Sequence, residues 1–103
     1  MIIDVAANLK VALNEADDFK KFKVRTQLPK RQLADLGSAL AGIAVVNDES
    51  SAWVHESALR TWKHEGNTAE WQASLTQMIA AAAKYGWIDA ERKTIRAHIE
   101  WAE

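Results

Sequence analysis

Apolar positions in the last third of the chain recur at helical spacing. Trp71, Leu75, Met78, Ala82 and Tyr85 fall at i, i+4, i+7, i+11 and i+14, which keeps them on one face of an α-helix. Asn67 or Thr68 is placed to cap this helix, Glu70 complements the positive end of its dipole, and Gly86 is placed to stop it. Trp87 then folds back on the helix end. Beyond this corner, Asp89 is placed to cap a second helix that runs to Trp101, with Ile95, Ile99 and Ala102 as its apolar stripe.

The same spacing recurs upstream. Val5, Leu9, Ala12, Leu13 and Ala16 predict a helix from Val5 to Ala16, capped by Asp4. Phe22, Val24 and Thr26 alternate with Lys23 and Arg25, a strand period, whereas Phe19 and Phe22 suit a helical turn. The segment therefore reads as irregular or extended. Pro29 opens a predicted helix to about Ala41, with Leu33, Leu36, Leu40 and Ile43 as its stripe and Gly42 beyond its end. Gly37 weakens that helix by roughly 1 kcal/mol relative to alanine, and close approach of another element is one physical reason for it. Ile43–Val46 and Ser51–Val54, separated by the turn-forming Asn47–Ser50, predict a β-hairpin over 43–54. Its rival is a helix from Ser50 to Trp62. Ser57 to Glu65 reads as helical in either case, with Leu59 and Trp62 buried and Gly66 as its end.

These patterns predict a single mainly α domain spanning 1–103, with four to five helices and at most one short hairpin near 43–54. The expected core is Leu9, Leu13, Leu33, Leu36, Leu40, Leu59 and Trp62 in the first part, and Trp71, Leu75, Met78, Ala82, Ile95 and Ile99 in the second.

Composition narrows the class. With 103 residues, 49% of them apolar, the chain suffices for one core. The absence of cysteine excludes disulfides, a thiol nucleophile and cysteine-held zinc. Met1–Asp4 lacks the pattern of a signal peptide, and the apolar run Met78–Ala83 is far shorter than the roughly 20 residues that span a bilayer. A soluble cytoplasmic protein without membrane contact is expected, and the methionine start favours a whole small protein.

Charge and chemistry add leads of different kinds. The net charge of −1 gives no global attraction for nucleic acid. Residues 19–33, however, hold Lys20, Lys21, Lys23, Arg25, Lys30 and Arg31 without an acid. Cations interleaved with Phe19 and Phe22 match a phosphate-contacting surface; they equally match a solvated loop or a site for an acidic protein. The Gly86 corner, with Arg92, Lys93 and Arg96 after it, loosely fits a DNA-binding helix-turn-helix, but Arg92 would fall where an apolar residue belongs. The three histidines, His55, His64 and His98, have no metal-ligand spacing. No phosphate-binding glycine loop or nucleophile motif occurs. No catalytic residue, cofactor or metal is therefore expected.

The five tryptophans suit core packing first and interface anchoring second, with Trp53 and Trp101 expected at the surface. The sequence thus points to a non-catalytic interaction module that binds another protein or itself. The first alternative is a nucleic-acid-binding accessory protein using segment 19–31. The second is a small-ligand domain with a tryptophan-lined pocket near His55 or His98.

Overall fold

The computed structural model of the protein describes residues 1–102. It is mainly β, which corrects the helical expectation. Seven strands form one mixed sheet in the order β2-β1-β3-β7-β5-β4, with β6 pairing separately to β7, and the sheet curls into a half-barrel. The strands are β1 (Ile2–Val5), β2 (Val11–Asn14), β3 (Lys23–Thr26), β4 (Ala44–Val46), β5 (Ser51–His55), β6 (Ile88–Asp89) and β7 (Thr94–Glu100). Three helices accompany them: α1 (Leu33–Ala39), α2 (Glu56–Arg60) and α3 (Ala69–Lys84).

The predicted Val5–Ala16 helix is instead a hairpin of β1 and β2. Its turn is closed by backbone bonds from Ala6 N to Lys10 O and from Leu9 N to Ala6 O, both 2.9 Å. Leu9 sits in it at φ 69° and is 39% exposed, so it leaves the expected core. The β-branched run Ile2-Ile3 with Val5 outweighs the helical spacing, because these residues pack well on a pleated surface.

The second correction is at the C-terminus, where no helix spans Asp89–Trp101. The chain forms β6, turns, and returns as β7, whose residues from Ile95 to Glu100 alternate buried and exposed. Ile95, Ala97 and Ile99 face the core; Arg96, His98 and Glu100 face outward. A helix-turn-helix is thereby excluded: Arg92 lies in the hairpin turn, its backbone N–H bonded to Asp89 Oδ1 at 3.2 Å.

Between these ends the differences are smaller. The segment read as irregular contains β3. The Pro29 helix is reduced to a 3-10 turn, Lys30–Gln32, followed by α1. A Cβ added at Gly37 would meet nothing within 4 Å, so close approach does not explain that glycine. The 43–54 segment is the antiparallel pair β4–β5, with Asp48 accepting from the N–H groups of Ser50 and Ser51 at 2.8 and 3.0 Å. The helix expected over Ser57–Glu65 is the short α2.

α3 matches its expected start and stop. The Thr68 hydroxyl accepts from Trp71 N at 3.2 Å. At the other end Trp87 N bonds Ala82 O and Gly86 N bonds Ala83 O, each at 3.1 Å, with Gly86 at φ 75°. That paired closure satisfies the last carbonyls and requires the left-handed residue that glycine adopts without strain.

Cross-strand register places the apolar side chains on one side. Ile3 stands opposite Val24, Val24 opposite Ile99, Ala97 opposite Ala52, and Ile95 opposite Val54. Leu36, Leu40, Leu59, Trp71, Leu75 and Ala82 join them in a single buried cluster. Trp62, Met78 and Leu13, expected in the core, are partly buried against it; Leu33, also expected there, is half-buried. Among the described residues, no helix is long and apolar enough to cross a membrane.

Candidate functional site

Strand pairing leaves one conspicuous gap. β7 is covered on one side along most of its length by β5. Beyond that, β6 pairs with it only at Thr94 and Ile95, and β3 only from His98 onward. Between the two, Arg96 N bonds the carbonyl of Trp87 at 2.8 Å. A groove of about 870 Å³ opens at this place.

Its walls differ in chemistry. α3 contributes Ser74, Gln77, Met78, Ala81 and Ala82. The crossover between β2 and β3 contributes Phe19, Lys20 and Phe22, and β7 contributes Arg96 and His98. These last two lie two residues apart on one strand and therefore share a face. Ser50 and Ser51 lie beside them. Among the described residues, no aspartate or glutamate lines the groove.

Tyr85 and Trp87 form its rim. Their rings stack with centroids 4.9 Å apart and planes 25° from parallel, yet Tyr85 is 70% and Trp87 46% exposed. The closure of α3 by Gly86 explains their proximity, since it turns the chain back within one residue. These two carry the largest exposed aromatic surface among the described residues.

The residues singled out from sequence do not converge. Of the six basic positions, only Lys20 reaches the groove. Lys21 is exposed and lies 3.8 Å from Asp18. Lys23 and Arg25 lie on the polar side of β3: Lys23 Nζ donates to Glu100 at 2.5 Å, and Arg25 donates to Asp4 at 2.6 and 2.9 Å. Lys30 and Arg31 are exposed on the 3-10 turn. Trp101 is half-buried and donates through Nε1 to Glu49 O at 2.6 Å. Trp53 is half-buried on β5 opposite Arg96 and next to Val45, which is 54% exposed.

The ion pairs shape the local electrostatics. The Arg25 guanidinium hydrogen-bonded to Asp4 holds that carboxyl below its usual range, helped by Asn14. The Lys23 ammonium does the same for Glu100. Both carboxyls are thereby engaged by cations that lie outside the groove. Among the described residues, no carboxylate lies within ion-pairing distance of Lys20, Arg96 or His98.

The histidines are also dispersed. His55 precedes α2, His98 faces the groove, and His64 packs edge-on against Trp71 with centroids 4.6 Å apart. Among the described residues, no three histidine, aspartate or glutamate side chains are grouped to hold a metal ion.

Helical spacing alone does not reveal the groove or its rim: it puts Tyr85 on the apolar stripe of the helix and Trp87 at the helix end, whereas both are exposed. Only the long-range pairing of β7 brings Arg96 and His98 to them. Comparison with protein-family models, with curated proteins and with solved structures gives no match, so function is argued from the residues themselves.

Proposed function

We propose that the protein is a non-catalytic binding module that docks another protein through the groove between α3 and β7. The exposed Tyr85–Trp87 stack carries this reading. Two large aromatic rings held in water at the edge of an apolar groove resemble the anchors that dominate protein interfaces. The half-buried Trp53 and exposed Val45 extend apolar surface across the sheet from Arg96, outside the groove itself. Among the described residues, no carboxylate lies within ion-pairing distance of His98 to orient the ring, which supports a binding role over proton transfer. A cytoplasmic location accords with a chain that lacks cysteine.

The groove volume favours a second reading, because about 870 Å³ suits a small amphipathic molecule. A phosphate-tracking role for segment 19–31 draws less support, since Lys23 and Arg25 are engaged with Glu100 and Asp4.

Display selection of random peptides on the full chain tests the docking reading. Selected peptides are expected to bind at least about tenfold more weakly to a Tyr85→Ser/Trp87→Ser variant, the loss of a modest interface anchor. Equal binding to both proteins overturns the reading.

A further inference from the structure

We propose that the occupant of this groove is an acidic segment of a partner protein, with apolar side chains flanked by carboxylates. The inference rests on the docking reading and specifies its partner. Charge complementarity carries it. The chain has 14 acidic and 13 Lys and Arg residues, yet among the described residues the groove is lined by Lys20, Arg96 and His98 and by no acid.

Arg96 and His98 project from the same face of β7, and Lys20 comes from the crossover that ends at β3. The remaining lining includes the apolar Met78 and Ala81 and the neutral Ser74 and Gln77 of α3. An occupant that complements this lining carries both anionic and apolar groups. Lys20 and Arg96 are exposed and without an ion-pair partner among the described residues, so a partner carboxylate displaces only water from them.

A nucleic acid shares the negative charge but needs a longer run of cations to follow its backbone. Lys23 and Arg25, which would extend such a run, are bound to Glu100 and Asp4.

The test uses the full chain and two short fluorescein-labelled peptides with the same leucine and phenylalanine anchors. One carries aspartate and glutamate between the anchors; the other carries asparagine and glutamine. Fluorescence anisotropy is expected to show the acidic peptide binding at least about tenfold more tightly, a preference diminished by salt. Lys20→Gln/Arg96→Gln should abolish the preference, and both substitutions fall on exposed side chains outside the core. Tyr85→Ser/Trp87→Ser should weaken both peptides.

Equal affinity for the two peptides, still lost in the aromatic variant, overturns the acidic partner while leaving the docking reading in place. No binding of either peptide to the folded chain overturns both. Tighter binding of a short single-stranded RNA assigns the groove to nucleic acid instead. A concentration-dependent dimer that Arg96→Gln dissociates assigns it to a second copy of the chain.

Discussion

Leu9 shows how much a single backbone conformation decides here. An L-residue with a large side chain is strained at φ 69°, by roughly 1–2 kcal/mol. Leu9 is also 39% exposed, so burial offsets only part of that strain. Its place is fixed by the turn, in which Lys10 N also donates to Asn8 Oδ1 at 3.1 Å. Leu9→Gly is therefore expected to raise stability by about 1 kcal/mol, net of the greater freedom glycine gives the unfolded chain. Urea unfolding followed by tryptophan fluorescence measures this directly. A lower midpoint for the glycine variant would mean that contacts of the leucine side chain outweigh the strain.

Elements of different length were legible to different degrees. α3 has 16 residues, enough for helical spacing to repeat over several turns and for both end signals to fall in place. Thr68 caps it through the hydroxyl, so Thr68→Ala should cost about 1 kcal/mol, seen as a lower urea midpoint with unchanged steepness. No loss would show that the Trp71 amide finds another acceptor. The strands were harder to read because Ile95 and Ile99, four residues apart, satisfy a helical and an alternating period equally. Ala97 between them decides the matter, with Arg96, His98 and Glu100 polar on either side, and the helical stripe passed over it. β1, β2 and β3 have four residues each, too few for the period to distinguish itself. The candidate site lay further out of reach. Tyr85 and Trp87 are neighbours in sequence, but Lys20, Arg96 and His98 meet them only through pairings of β3 and β6 with β7, which no local pattern encodes.

At the scale of the whole molecule, the polar side of the sheet ties the first strands to the last. Asn14 Nδ2 donates to Asp4 at 2.5 Å, Asp4 accepts from Arg25, and Lys23 reaches across to Glu100. Arg25 and Lys23 hold the Asp4 and Glu100 carboxyls below their usual range, and the Ser50 hydroxyl does so for Asp48 in the β4–β5 turn. The folded chain therefore binds fewer protons than the unfolded chain as pH falls through the carboxylate range. Stability from these groups is fully present above their unfolded values near about pH 4 and is lost as pH drops through the lower folded values. Thermal unfolding followed by circular dichroism should give a midpoint that these groups leave flat from pH 7 to about pH 5 and lower progressively below about pH 4. Asp4→Asn keeps the shape of the side chain but removes one of the depressed carboxyls. It should lower the midpoint at pH 7 and flatten the acid limb, so that the two curves converge at low pH. Parallel curves would locate the acid sensitivity in Glu100 and Asp48 instead, and would leave the bond between β1 and β3 as a contact of shape without a net electrostatic contribution.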